Sequence, residues 1–325
     1  MEIFSSELRF RSIRQNFERN SAEGNRRAIG LLRTSFWFTE LMRRWGTHTP
    51  YALGKKLEPE TYKKNLAGEA YSHNLWPKYA RGDVIPSRKR LLSVNRADPG
   101  SLADYDHLLF DVVDPSMPVG SHADAWLQRL PRRVQGALYV REAGMRYRRR
   151  TCTARVLKTL EESASLDALA AIIVLLREAH DAGMADLAFE IGLSTYRSLL
   201  IVGTMRYGAI APELSHAAMR LVFPLASSGH RKLWASDRLM DDQRTTLAYA
   251  RNELGSRGFI QPDPKSEVAA AVQMMRGRFG RHIHAELLPR ATSTTPTSDQ
   301  VRWRQQAALY ISDDDALRLR ASSSK

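Results

Sequence analysis

Cationic side chains placed around a tight turn can neutralise phosphates, and this chain carries such a set between Asn74 and Leu92. Lys78, Arg81, Arg88, Lys89 and Arg90 surround Gly82 and Pro86. Ser87 and the amides freed after Pro86 could add phosphate contacts at a helix start. Trp76 and Tyr79 are three residues apart, so they share a helical face and can pin the turn to a core. The chemistry this set suits is salt-sensitive contact with a polyanion backbone. The same spacing also fits a solvated face with no ligand.

A second set follows at Arg146-Tyr147-Arg148-Arg149-Arg150. Tyr147 could stack on a base or on a guanidinium plane, with Arg148, Arg149 and Arg150 on phosphates. The alternative is an exposed segment between domains. The pairs Arg26-Arg27, Arg43-Arg44, Lys55-Lys56 and Lys63-Lys64 could extend a basic surface.

Enzymatic signals are sparse. There is no phosphate-binding Walker loop, no dinucleotide-binding glycine fingerprint, no His-Glu-x-x-His and no Gly-x-Ser-x-Gly. His282, His284 and Glu286 are close in sequence, but on a helix His284 points away from the other two. Arg276-Gly277-Arg278-Phe279-Gly280 reads as a kink in a basic helix or a phosphate contact. Cys152, the only cysteine, excludes an intrachain disulfide and multi-thiolate zinc, and reads as structural. No catalytic residue, metal or cofactor is assigned.

Tyr79, Gly82, Pro86-Ser87 and Leu91 follow a recognisable spacing. It resembles the second half of the lambda-repressor-like (Cro-type) helix-turn-helix. In that family an aromatic residue ends the recognition helix, a glycine follows, and a proline-serine pair starts the next helix. The resemblance covers about residues 70–95. It implies packing roles for Tyr79 and Leu91 and a turn role for Gly82. Pro77 departs from the pattern, because proline removes a backbone donor where the recognition helix should continue. Base reading is therefore not carried over.

The elements that must position these residues read as helices almost throughout, since apolar residues recur at three and four. A first helix ends near Asn20. Asn25 is placed to cap a second, about Arg26 to Trp45, and Pro50 starts a third through Leu57. Pro86 is placed as the first residue of another. One short helix is expected at Leu102–Val112, then two more at Ala123–Leu130 and Arg132–Tyr139. The second half offers Thr153–Ser163, Ser165–Ala182, Met184–Met205, Pro212–Phe223, Ser236–Leu254 and Lys265–Leu288, with Ser165 and Asp237 as caps. Residues 290–299 read as a polar linker, Gln300–Tyr310 as a short helix and Ala321–Lys325 as a disordered tail.

Charge divides the chain. Residues 1–150 hold 27 Lys and Arg against 16 Asp and Glu, a net of +11 out of +14. With 43% hydrophobic residues the chain is rich enough to fold, and no apolar run is long enough to span a bilayer. The reading is an all-α protein in four parts. Residues 1–115 form a basic domain with the helix-turn-helix-like segment, and 116–152 connect it onward. Residues 153–290 form a helical bundle, and 291–325 a polar linker, short helix and tail. Its expected function is non-enzymatic binding of nucleic acid, DNA first, in a bacterial cytoplasmic regulator, mobile-element or phage-defence protein. The C-terminal helices, with their apolar stretch from Leu166 to Val202, could mediate self-association. Alternatives are a helical adaptor for an acidic protein partner, and an enzyme or toxin with an unrecognised site.

Overall fold

Ser21, Thr49, Ser87, Thr153, Ser165 and Ser236 all have extended backbones, and each accepts a hydrogen bond from the amide three residues on. Each therefore satisfies an orphan donor and starts a helix. The computed structural model of the protein describes residues 10–62, 75–142, 147–228, 231–261, 263–279, 284, 286–288 and 290–293.

The chain begins α1 (Arg11–Glu18), α2 (Ala22–Arg44) and α3 (Pro50–Leu57). After a 3₁₀ turn at Pro59–Tyr62 come α4 (Leu75–Arg81), α5 (Arg88–Ala97), α6 (Ser101–Tyr105), α7 (Leu108–Val113), α8 (Ala123–Arg129) and α9 (Arg132–Leu138). A hairpin of β1 (Tyr139–Arg141) and β2 (Tyr147–Arg149) leads to α10 (Ala154–Ser163), α11 (Leu166–Asp181), α12 (Ala185–Met205) and α13 (Ala211–Leu221). Strands β3 (Ser227–Ser228) and β4 (Arg231–Trp234), helices α14 (Asp237–Ser256) and α15 (Pro264–Met275), and β5 (Arg290–Ser293) complete it. The three last strands form a small antiparallel sheet in the order β3-β4-β5. The fold is all-α with these two small sheets attached.

Two apolar clusters organise the helices. The larger is centred on α11 and α12, which pack as a hairpin across the turn at Gly183. Nearly every side chain from Ala168 to Leu176 is buried, so this apolar stretch is used inside the chain. Phe10, Ile13 and Phe17 of the N-terminal region join the same cluster. So do Trp126, Leu127, Val134 and Leu138 from the expected connecting segment, so apolar packing runs straight through residues 116–152. The smaller cluster holds Trp37, Phe38 and Leu41 of α2 with Leu53, Trp76, Tyr79, Leu91, Val94 and Tyr105. Helix α2 is thus a shared wall, its first half facing one cluster and its second half the other. Gly54 permits the close crossing of α3 and α4, since a Cβ there would lie 2.3 Å from Trp76.

Several boundaries differ from expectation for local reasons. Ser21, not Asn25, caps α2, and Asn25 lies within the helix. Pro86 precedes the cap, Ser87 is the cap and Arg88 is the first helical residue. The helix expected over 102–112 is broken at Asp106-His107, where His107 Nδ1 accepts from the Leu109 amide and starts α7 anew. Ser236 caps α14, which releases the Asp237 carboxylate to other partners. Helix α15 stops at Met275, with Gly277 in the left-handed region at φ 78°. Residues 290–293 form a strand in place of linker. The expected helix at 300–310, the tail at 321–325, Lys63-Lys64 and His282 lie outside the described residues.

Candidate nucleic-acid interface

The α4–α5 turn is tied together by its own charges. Gly82 holds φ 68°, and Tyr79 and Leu91 on either side are buried. Pro77 is the third residue of α4 as described, in the first turn of that helix. Arg81 pairs with Asp83 at 2.8 Å, and Asp83 also accepts from Ser12 Oγ at 2.9 Å. Arg88 pairs with Asp106 at 3.0 Å. Arg90 is ion-paired to Glu58, whose carboxylate also receives the Trp76 indole N–H at 3.1 Å. Ser87 Oγ accepts from the Arg90 amide at 3.3 Å, so its hydroxyl serves as a helix cap. Lys78 and Lys89 remain exposed, without an ion-pair partner among the described residues. Of the five cations here, three have an acidic partner.

The β1–β2 hairpin differs. Residues 129–155 contain nine arginines and one acid, Glu142, so this window carries +8 of the chain's +14. Tyr139 pairs with Arg149, Val140 with Arg148 and Arg141 with Tyr147. Alternation sends Val140 and Arg148 to one face and Tyr139 and Tyr147 to the other. A cleft borders each face, and Gly136 of α9 lines both.

The first cleft, about 530 Å³, is lined by Arg148, Arg150 and Arg155 with Thr151, Thr153 and Thr159. Among the described residues Arg148 pairs with the exposed Glu142 alone. Such a surface pair contributes at most about 1 kcal/mol, so Arg148 can exchange partners. Arg150 is exposed, and its Nε donates to the Tyr139 carbonyl at 3.2 Å. Arg155 is exposed with no ion pair among the described residues. Arg132, Arg133 and Arg141 are exposed on the same helix and hairpin.

Arg149 is the fixed member. It also lines the first cleft, and it bonds Glu178 at 2.6 Å and Asp124 at 3.3 Å, anchoring β2 to α11. Burial works against its charge, but the Glu178 carboxylate outweighs that and holds its pKa above the ordinary value. Cys152 lies just beyond, and burial pushes its thiol up to about 11. A thiol so protected is not a nucleophile near neutral pH.

No group of three His, Cys, Asp or Glu side chains among the described residues is placed to hold a metal. His216 Nδ1 meets Asp237 at 3.1 Å, which resembles a catalytic dyad. Its Nε2 is buried without a hydrogen-bond partner, and the Phe17 ring lies 5.7 Å away. Asp237 also pairs with Arg14, which binds the buried Glu213 at 2.9 Å. This cluster fastens α1 to α13 and α14. No described helix is long and apolar enough to cross a membrane. Comparison with family models, with curated proteins and with solved structures finds no match.

Of the nine residues expected at the interface, Arg148, Arg149 and Arg150 share one cleft. Arg81 and Arg90 are paired with acids of their own module and Ser87 caps its helix, while Arg88 makes an exposed pair with Asp106 of the same kind as that of Arg148. Arg155, which lines the first cleft, and Arg132, which lines the second, were not among them. The density of arginine over 129–155 was the signal that could have found them.

Proposed function

We propose that this protein binds nucleic acid through the β1–β2 hairpin and the adjoining ends of α9 and α10. The observation that carries this reading is the gathering of Arg148, Arg150 and Arg155 around one hydroxyl-lined cleft, in a chain segment with a net sequence charge of +8. Arginine forks match phosphate oxygens and release condensed counterions, which favours binding without bond chemistry. The hydroxyls of Thr151 and Thr153 add neutral donors to the same oxygens, while Thr159 donates to the Arg155 carbonyl. The α4–α5 module then serves as a structural buttress, with Lys78 and Lys89 as minor contributors.

The test is affinity for an oligonucleotide across a salt series. Wild-type protein should show a steep fall of log affinity with log salt. The triple reversal R148E/R150E/R155E should abolish binding at moderate salt. Binding unchanged by that reversal would sink the reading.

A further inference from the structure

The second cleft differs in chemistry from the first. It encloses about 520 Å³ between Gln128, Arg132, Gln135, Gly136, Tyr139 and Tyr147. Tyr147 is 70% exposed, an unusual state for an aromatic side chain on a strand, and it stands on the face opposite Arg148. The Gln135 amide nitrogen is committed to the carbonyls of Gln128 and Leu130, each at 2.7 Å. That fixes the side chain and leaves its Oε1 to accept from a ligand. Gly136 sits inside α9, where glycine costs about 1 kcal/mol relative to alanine. No packing demands it, because an added Cβ would meet nothing within 4 Å. The glycine instead leaves open the saddle between the two clefts.

We infer that the hairpin holds a single strand, with phosphates in the arginine cleft and an unstacked base against Tyr147 in the second. This rests on the proposed function and adds the class of nucleic acid. A duplex offers phosphates, but its base faces are already stacked on one another. Only a single strand can place a base on an exposed tyrosine ring, beside the fixed Gln135 amide that can meet a base edge. Passing from one cleft to the other brings the strand over the Gly136 backbone, where any side chain would stand in its way.

The experiment measures anisotropy of a labelled oligothymidine of roughly 12 nucleotides, a length within known single-strand site sizes, and of a duplex of equal length. The full chain is compared with Y147A, Y147F, G136L and the triple arginine reversal. Stacking on one aromatic ring predicts that Y147A weakens single-strand binding roughly five- to a hundred-fold, with the salt slope unchanged. Y147F should retain affinity, and duplex binding should not respond to either. G136L should melt no lower than wild type while binding the single strand more weakly. Equal losses for duplex and single strand in Y147A, or no loss in either, overturn the inference. If binding depends on the arginines but not on Tyr147, the phosphate site stands and the base site falls. No binding at low salt, or binding indifferent to the arginines, overturns both.

Discussion

The guanidinium of Arg90 lies 5.7 Å from the centre of the Trp76 ring while its charge is matched by Glu58. A cation that sequence spacing offers to a ligand is therefore part of the fold. Trp76 is 1% exposed and also contacts Trp37 and Tyr79, so Arg90 covers the centre of the smaller apolar cluster. Removing it takes one cation from the Glu58 carboxylate and uncovers the indole. We expect R90A to lose about 1–3 kcal/mol of stability in urea unfolding, the range for a charged hydrogen bond with its cation–π contact. Its salt dependence of binding should stay that of wild type.

Gly82 controls how α4 meets the N-terminal helices. Its φ of 68° disfavours any other residue, and a Cβ would lie 2.8 Å from Ser35 Oγ and 2.9 Å from Ile13 Cδ1. The preceding carbonyl, Arg81 O, accepts from the Phe10 amide at 3.2 Å. Both strain and crowding oppose substitution, and each is of order 1–3 kcal/mol. G82A should lower the thermal midpoint by several degrees, whereas G100A, with an equally unusual backbone but open space around it, should lose only the backbone part.

These two positions also show what was legible beforehand. Gly82, Tyr79 and Leu91 were readable because turn chemistry and helical spacing are local. The helices of the second half were readable for the same reason, from Ser165 capping α11 to the Gly183 turn. The partners of Arg81, Arg88 and Arg90 were not all equally visible. Asp83 is two residues from Arg81, but Asp106 and Glu58 reach their arginines through tertiary packing. The β1–β2 hairpin was hidden for another reason. Its strands are three residues each, too short for a period-two pattern to stand out from the helical background. Arginine density marked the place, and only the register separated Tyr147 from Arg148.

Glu161 tests how much the larger core depends on one buried charge. Its carboxylate accepts from Ser194 Oγ at 2.8 Å, Arg197 Nε at 2.9 Å and Arg276 NH2 at 2.6 Å, and it is 1% exposed. It thereby joins α10, α12 and the end of α15. Neutralising it leaves two arginines facing a neutral amide in a dry site. Breaking a buried pair in this way costs about 3–5 kcal/mol. E161Q should show that loss in urea unfolding, whereas replacing the exposed Glu162 should change little.

Cys152 gives a pH signature. Burial raises its thiol to about 11, with Arg149 opposing and Glu178 assisting that shift. An unfolded thiol ionises near about 8.5. The stabilising effect is therefore complete below about 8.5 and is lost as pH rises through about 11. Labelling with a disulfide reagent should be slow at pH 8 in the folded protein and fast once urea exposes the thiol. The folded-state rate should climb with pH up to about 11. Rapid labelling of folded protein at pH 8 would contradict the buried setting. C152S should remove this part of the alkaline destabilisation.

The two basic regions make opposite predictions about charge reversal, and that contrast locates the interface. Each phosphate contact contributes about 0.7 to the slope of log affinity against log salt for a single strand. Arg148, Arg150 and Arg155 surround one cleft, so reversing all three should reduce the slope by roughly 2 and weaken binding across all sequences alike. Lys78 and Lys89 stand on a module whose arginines are held by Asp83, Asp106 and Glu58. Reversing both lysines should reduce the slope by less than the hairpin reversal does. Three acids there offset three of the five cations, so that surface keeps fewer uncompensated charges and fewer counterions to release. If K78E/K89E matched the hairpin reversal in its effect, phosphate contact would belong to the α4–α5 segment, and the arginine cleft would be only a charged wall.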